Sequence, residues 1–207
     1  MPNFAEVESL LAKLTLTKRQ GKIFVVSGPS GVGKTILCNR AVKEIPNLAY
    51  SISHTTRPRR ANEQHGREYF FVTKEAFEEK IQRGEFLEWA QVHGNLYGTS
   101  IDYIQQMTSR GIDVIMDIDV QGGQQVQQKP VDNVLIFIVP PSMEELQNRL
   151  FKRNTDKAEH IQQRLETACE EISQYSDYNY LIVNRVLDDA ALVLKSIIIA
   201  ERHRIGG

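Results

Sequence analysis

The sequence lacks several features that mark particular protein classes. Its two cysteines, Cys38 and Cys169, lie far apart in segments with helical patterns, which excludes a disulfide framework and a cysteine-based metal cluster. No apolar run approaches the ~18 residues of a membrane span, and residues 1–20 are too polar for a signal peptide. The formal net charge is only -1, so the chain shows no polycationic footprint for nucleic acid or membrane. We therefore expect a cytoplasmic protein without nucleic-acid or membrane partners.

What the 207 residues do contain is the composition of a compact folded domain, with 41% hydrophobic and 25% charged residues. Apolar runs suited to buried strands alternate with segments of helical periodicity. This alternation predicts an α/β fold with a parallel sheet and helices on both faces. The predicted strands are 23–27, 49–53, 114–118, 134–139 and 181–183, and the predicted helices are 34–44, 100–111, 142–153, 159–175 and 188–204.

Two segments depart from this alternation. Residues 57–100 read as short strands, a helix and turns, which predicts an inserted α+β lobe. Residues 152–159 are irregular and rich in charge between two predicted helices, so we expect a helical lid over about 152–164. The rest of the chain divides into an N-terminal extension at 1–20 and a core made of 21–56 and 101–207.

The stretch VVSGPSGVGKTIL contains the G-x-x-x-x-G-K-[ST] pattern of a phosphate-binding loop between a predicted strand and a predicted helix. Small residues let consecutive backbone N–H groups turn inward at the positive end of the helix, where a polyphosphate binds. Lys34 can reach the β- and γ-phosphates, and the Thr35 hydroxyl can ligate Mg²⁺. The sequence therefore predicts an ATP or GTP site at Gly28, Pro29, Ser30, Gly31, Val32, Gly33, Lys34 and Thr35.

An acidic pair follows the third predicted strand. In the stretch VIMDIDVQGG, Asp117 and Asp119 come at the carboxyl end of an apolar run, where ligands collect in doubly wound sheets. Their spacing of two predicts that both carboxylates lie on the same face of that strand. We assign Asp117 to the metal, through water, and Asp119 to the phosphate acceptor.

A cluster of basic and phenolic side chains suits a phosphomonoester. The stretch SISHTTRPRR brings Arg57, Arg59 and Arg60 together, and planar guanidinium groups are strong ligands for a phosphate dianion. Tyr69 and Tyr97, in the predicted insertion, can donate hydrogen bonds to phosphate oxygens while their rings line a pocket. A solvated basic loop or a nucleic-acid patch is the alternative interpretation of the arginines, and the near-neutral net charge disfavours it.

Taken in order and spacing, these motifs resemble those of guanylate kinases: GPSGVGKT, SISHTTRPRR, HGREYFFV, LEWAQVHGNLYGTS, DIDVQGG and VPPSMEELQNRL. The resemblance extends from about Lys22 to the end of the chain. It implies transfer of the γ-phosphate of ATP to GMP, with Mg²⁺, on a phosphate-loop core with a GMP-binding insertion and a lid. It leaves a homo-oligomer open.

The resemblance also implies roles for individual residues. Glu88 has independent chemical support, because a carboxylate can accept hydrogen bonds from guanine N1–H and N2–H, whereas adenine has no hydrogen on N1. The implied guanine-binding residues are Ser53, Glu88, Thr99 and Asp119, the GMP phosphate ligands are Arg57, Arg60, Tyr69 and Tyr97, the catalytic residues are Lys34, Arg57, Arg153 and Arg164, the adenine neighbour is Asn184, and the metal ligands are Thr35 and Asp117.

The chain departs from the family pattern at three positions. Arg59 stands where the family has proline, Asn62 stands where it has glycine, and Asn154 replaces a glycine after the lid arginine. The first departure leaves open which of Arg59 and Arg60 reaches the GMP phosphate, although the spacing to Tyr69 favours Arg60. Asparagine tolerates positive φ better than most residues, so the other two are conformationally mild.

Three other functions are compatible with parts of this sequence. A catalytically inactive binding module of the same fold would be expected to lack Lys34 or the arginines, and this chain has them. A kinase of the same fold acting on another small substrate is disfavoured by Glu88 together with Ser53. A nucleic-acid-binding ATPase is disfavoured by the concentration of basic residues at one predicted pocket.

Overall fold

The computed structural model describes residues 3–16, 19–92, 94–152 and 158–205. One inserted lobe interrupts the core along the chain. The elements, in chain order, are α1 (Phe4–Leu16), β1 (Ile23–Ser27), α2 (Lys34–Glu44), β2 (Leu48–Tyr50), β3 (His54–Thr55), β4 (Phe70–Phe71), α3 (Lys74–Gln82), β5 (Phe86–Val92), β6 (Asn95–Ser100), α4 (Ile101–Ser109), β7 (Asp113–Asp117), α5 (Val120–Gln127), β8 (Asn133–Val139), α6 (Met143–Lys152), α7 (Ala158–Ser173), β9 (Tyr180–Val183) and α8 (Leu187–Arg202).

The core is a five-stranded parallel sheet with strand order β2-β7-β1-β8-β9. All five residues of β1 are buried, and they alternate between the two faces. Phe24 and Val26 pack with α2 and α8, whereas Ile23 and Val25 pack with α4 and α5 on the opposite face. The predicted α/β fold with helices on both faces of a parallel sheet is therefore confirmed.

Element boundaries differ from the predicted ones in instructive places. The predicted strand 49–53 ends at Tyr50 as β2, because the chain leaves the core sheet there to form β3. Helix α5 was not predicted, since its sequence VQGGQQVQ contains two glycines and reads as a loop. Ser142 does cap α6, because the Glu145 backbone N–H donates to its hydroxyl oxygen at 3.1 Å.

The inserted lobe, as we call His54–Ser100, contains a second sheet with strand order β4-β3-β6-β5. Its small core holds Phe77 of α3 stacked on Phe86 of β5, with ring centroids 4.5 Å apart. The sheet includes β3, which lies before the predicted insertion at 57–100, because β3 pairs with β6 rather than with the core. Strand β5 is an edge strand of this sheet, and it packs against α5 of the core.

Helices α6 and α7 form a separate packed pair through Leu146, Leu150, Ile161 and Ala168. The irregular centre of the predicted lid, residues 153–157, lies outside the described residues and includes Arg153. Among the helices that the structure describes, none combines the length and the apolar character needed to span a bilayer.

Candidate active site

The phosphate loop, residues 28–35, leaves the carboxyl end of β1 at the centre of the core sheet. Gly28 has a φ of 138°, and a Cβ there would lie 2.1 Å from the Ile138 carbonyl oxygen, so no other residue fits. Gly33, with a φ of 102°, is the N-cap of α2. The loop therefore turns directly into the N-terminus of a helix, where backbone N–H groups are free for an anion.

Lys34 lies over the loop that precedes it. Its Nζ donates to the carbonyl oxygens of Gly28 at 2.7 Å and Pro29 at 3.3 Å. The ammonium group is thereby held beside the turn in which a polyphosphate would bind. The placement agrees with the role predicted for Lys34.

Thr35, at the start of α2, lies within hydrogen-bond distance of Asp117, at the end of β7. Val26 of β1 pairs with Asp117 of β7, which brings the carboxylate beside the start of α2. The Thr35 hydroxyl donates to Asp117 Oδ2 at 2.5 Å. Two hard oxygen ligands next to a phosphate site suit Mg²⁺, which takes only one or two protein ligands and keeps several waters. The residues present therefore fit this metal.

The Asn184 side chain forms a hydrogen bond with the backbone of the phosphate loop. It is buried, and its Nδ2 donates to the Val32 carbonyl oxygen at 2.7 Å. The backbone carbonyl oxygen of Asn184 accepts from Arg149 Nη2 at 3.0 Å. The side-chain amide is thus engaged with the loop backbone, and the predicted proximity to adenine stays a prediction.

The prediction that Asp119 lies on the strand is wrong. Strand β7 ends at Asp117, and Asp119 is instead the N-cap of α5, where its Oδ1 accepts from the Gly122 N–H at 2.8 Å. The side-chain alternation of a strand does not extend to Asp119, because β7 ends at Asp117 and a helix begins at Val120. The role of Asp119 toward the acceptor stays a prediction, now from a helix terminus rather than from a strand face.

Glu88 is buried where β5 of the inserted lobe packs against α5 of the core. It is 4% exposed on β5, opposite the fully buried Thr99 on β6. Burial, with the charge of Asp119 adding to it, raises the pKa of Glu88 to about 7. Thr99 offsets this rise in part, but the geometry of its hydroxyl falls outside that of a regular hydrogen bond. A buried carboxylate with spare acceptor capacity is suited to a ligand that donates hydrogen bonds.

The arginine cluster is organised by Glu63, which sequence reasoning did not assign. Its Oε1 accepts from Arg57 Nη2 at 2.7 Å, and its Oε2 accepts from the Arg60 backbone N–H at 2.8 Å. Arg59 Nη1 donates to the Glu63 carbonyl oxygen at 3.4 Å. In the part of the chain described, no hydrogen bond or ion pair engages the Arg60 guanidinium. The only signal for Glu63 in the sequence is an acid three residues after Arg60.

Two tyrosines lie beside this cluster. The rings of Tyr69 and Tyr97 are 5.8 Å apart in an edge arrangement, and the Arg57 guanidinium carbon lies 5.4 Å from the centre of the Tyr69 ring. Burial raises the pKa of Tyr69, so its hydroxyl keeps its proton as a donor near neutral pH. Ser53 precedes β3, where its carbonyl oxygen accepts from the Phe70 N–H at 2.9 Å. The structure thus brings Arg57, Tyr69 and Tyr97 together as predicted.

Comparison with known proteins agrees with this geometry. The sequence model of the family described as guanylate kinase matches residues 20–201. The chain belongs to the guanylate kinase family. The chain is 50% identical over 187 residues to a guanylate kinase of Syntrophotalea carbinolica, covering 90% of this chain and 89% of that one. It is 45% identical over 187 residues to that of Geobacter metallireducens, with 90% and 92% covered.

Solved structures give the same family. A guanylate kinase from Anaplasma phagocytophilum superposes with a TM-score of 0.75 at 34% identity, over 91% of this chain and 89% of that one. A gluconokinase from Sinorhizobium meliloti, at 13% identity and a TM-score of 0.50, shares the fold alone over 89% and 95%. The guanylate kinase resemblance of the sequence is therefore confirmed.

In this guanylate kinase fold, helix α7 approaches the phosphate loop. Burial raises the pKa of Glu171 to about 7, and the nearby charge of Lys34 lowers it in part. This carboxylate of α7 is therefore close enough to sense the loop lysine, and it was not among the predicted residues. Arg164 lies two turns earlier on the same helix, whereas Arg153 lies outside the described residues.

Proposed function

We propose that this protein transfers the γ-phosphate of ATP to GMP, giving ADP and GDP. The observation that carries the proposal is the buried Glu88 carboxylate, which lies in the same molecule as a phosphate loop and a separate arginine cluster. Purine nucleotide metabolism in the cytoplasm would be its setting. GMP and ATP would be its small-molecule partners.

On the donor side, the phosphate loop would bind the ATP phosphates through its backbone N–H groups and Lys34. Mg²⁺, when bound, would neutralise charge on the β- and γ-phosphates. Thr35 and Asp117 would hold it, Asp117 through water, because their oxygens already lie together beside the loop. Asn184 would stabilise the loop while lying near the adenine.

On the acceptor side, Glu88 would read guanine. Its ionised carboxylate can accept from N1–H and N2–H side by side, whereas adenine would leave a buried carboxylate unpaired. The buried Thr99 hydroxyl, which lacks a regular partner in the described structure, supports this role, and Ser53 and Asp119 would complete the base site. Such a site rejects an analogue that lacks the hydrogen bonds by ~10⁴.

The GMP phosphate would be held by Arg57, Arg60, Tyr69 and Tyr97. Between the two neighbouring arginines, the structure supports Arg60, because its guanidinium is available while that of Arg59 is engaged with the Glu63 carbonyl oxygen. Glu63 would keep Arg57 oriented through an ion pair that is mostly shielded from solvent. The acceptor phosphate would thus meet preoriented donors.

No covalent nucleophile is needed, because the attacking atom is an already ionised oxygen of GMP. The obstacle is to bring two polyanions into line, and catalysis would consist mainly of positioning and charge stabilisation. Lys34 and Arg57 would supply positive charge, and Arg153 and Arg164 would close over the transferring group. Closure would exclude water, which would otherwise accept the phosphoryl group.

The domain division follows the same assignment. Residues 21–56 and 101–207 would form the kinase core, with a lid at about 152–164, and 57–100 the GMP-binding insertion. The N-terminal extension at 1–20 carries no role in the proposed chemistry.

A coupled ADP-release assay with ATP and Mg²⁺ tests the proposal. GMP, dGMP, AMP, CMP and UMP are compared as acceptors, with the Lys34→Ala variant as the blank. We expect strong release with GMP that disappears in the blank. Release with none of the acceptors, from protein shown to be folded, would favour a binding module, and release with another acceptor would reassign the substrate.

A further inference from the structure

Helix α5 of the core packs against β5 and lies beside Glu88, the residue proposed to bind guanine. Its N-cap, Asp119, lies close enough to Glu88 to raise the pKa of that carboxyl after the larger effect of burial. One turn later, a Cβ on Gly122 would lie 2.7 Å from Glu88 Oε2. The helix backbone therefore packs directly on the carboxylate, and glycine at this position leaves room for it.

The next turn of the same helix holds the strand that carries Glu88. The Gln125 side-chain Oε1 accepts from the Trp89 backbone N–H at 3.1 Å, and its Nε2 donates to the Trp89 carbonyl oxygen at 2.7 Å. One side-chain amide thus satisfies both backbone groups of a single residue. It takes the place that a neighbouring strand would occupy.

Strand β5 needs such a partner for two reasons. It is an edge strand, so the backbone groups that point away from β6 have no strand to pair with. Its register with β6 also shifts between Phe86 and Glu88, immediately before the carboxylate that would read the base. The pairing with β6 is therefore irregular immediately before Glu88, and on its other edge β5 depends on α5 for backbone partners.

We infer that Gln125 is a positioning residue for acceptor selection. Through the Trp89 backbone, it fixes the position of Glu88. In that position, both carboxylate oxygens can accept hydrogen bonds from N1–H and N2–H of guanine. This inference rests on the proposed function. It assigns to a core helix, rather than to the inserted lobe itself, the placement of the group that distinguishes guanine from other bases.

The test uses Gln125→Met, which keeps the side-chain length and removes both hydrogen bonds. Gln124→Met is the matched control, because Gln124 is its neighbour on α5 and its Nε2 donates to Gln174 Oε1 at 2.7 Å rather than to β5. Steady-state constants are measured for GMP, for ATP and for inosine monophosphate, which lacks the 2-amino group. Thermal unfolding of each variant confirms that it is folded.

For Gln125→Met we expect the KM for GMP to rise about tenfold, because a misplaced contact group weakens a two-point interaction. The preference for GMP over inosine monophosphate should fall by a similar factor, while the KM for ATP stays within about twofold of wild type. Gln124→Met should change none of these ratios by more than about twofold.

Two results would overturn the inference. One is a folded Gln125→Met variant with an unchanged KM for GMP and unchanged base preference. The other is an equal loss in Gln124→Met, which would assign the effect to the helix in general. If wild-type protein does not phosphorylate GMP, the proposed function itself fails, and that result is distinguishable because it appears before any substitution is made.

Discussion

The phosphate loop and the base pocket are built in opposite ways. The loop is one run of consecutive residues, and its shape is set by backbone groups and by glycines with positive φ. The proposed base site is assembled from residues on β5, on β6 and at the N-terminus of α5. Glu88 and Thr99 are paired on the adjacent strands β5 and β6. The proposed donor site therefore depends on local geometry, whereas the proposed acceptor site depends on tertiary contacts.

The largest effect should come from the loop. Lys34→Ala removes the cation beside the transferring phosphoryl group, so we expect kcat to fall by roughly 10³. Binding of GMP should persist, because Lys34 lies in the donor half of the site. Rapid-mix turnover assays and calorimetric titration with GMP measure the two quantities, and unchanged turnover would remove Lys34 from the mechanism.

The next effect tests the pocket. Glu88→Gln keeps the shape but presents an N–H donor to guanine in place of one acceptor, so kcat/KM for GMP should fall by roughly 10² or more. The selectivity for GMP over AMP should fall with it, as measured with the two acceptors under identical conditions. A preference for GMP that survives intact would refute the base-reading role.

The pH dependence sharpens the comparison, because Glu88 has a pKa of about 7 in the folded protein against an ordinary value of 4.5. Since guanine requires the ionised carboxylate, the KM for GMP should fall several-fold as pH rises from about 6 to 8. The Glu88→Gln variant, measured in parallel, shows how much of the change belongs to the phosphate of GMP. Equal slopes in the two proteins would contradict the assignment.

The raised pKa of Glu88 also makes the stability of the protein depend on pH. Because the folded protein holds this proton more tightly than the unfolded chain, the contribution of Glu88 to stability falls as pH rises from about 4.5 to about 7. At pH 8 the Glu88→Gln variant should therefore gain up to about 3 kcal/mol of unfolding free energy over wild type. Urea titrations at pH 5 and pH 8 measure the difference, which should be small at pH 5.

The KM for GMP should also distinguish two neighbouring arginines. Arg60→Ala should raise the KM for GMP by roughly tenfold or more, because it removes a charge-assisted contact to the phosphate. Arg59→Ala should change it by about twofold or less, since that guanidinium contacts the Glu63 carbonyl oxygen. The reverse order, in KM measurements with saturating ATP, would exchange the two roles.

Local patterns in the sequence predicted the donor half well. Strand β1 and helix α2 have the predicted bounds, because a buried apolar run, glycines and a helix start occur in immediate succession. Helix α5 was missed because Gly122 and Gly123 lower helix propensity. The fold retains them since Glu88 and the Tyr178 hydroxyl pack against those positions, where a Cβ would lie within 2.7 Å of their oxygens.

The supporting residues could not be predicted for the same reason. Glu63 and Gln125 are ordinary polar residues in the sequence, and their roles arise from contacts made after the chain folds. Asp119 was placed on the wrong element because a strand pattern gives no sign of where the strand stops. The guanine-binding roles of Ser53 and Thr99 rested on the family resemblance, whereas those of Glu88 and the arginine cluster also had support from local chemistry.

The order of strands in the core sheet bears on how the protein is made. Strand β1 has no early neighbour, because Ile23 pairs with Val114 on one side and with Asn133 on the other. During synthesis, the strand that carries the phosphate loop must wait until β8 has left the ribosome before it is paired on both edges. A nascent chain that stalls within the inserted lobe would present this strand, with its four consecutive apolar residues, to chaperones and to other chains.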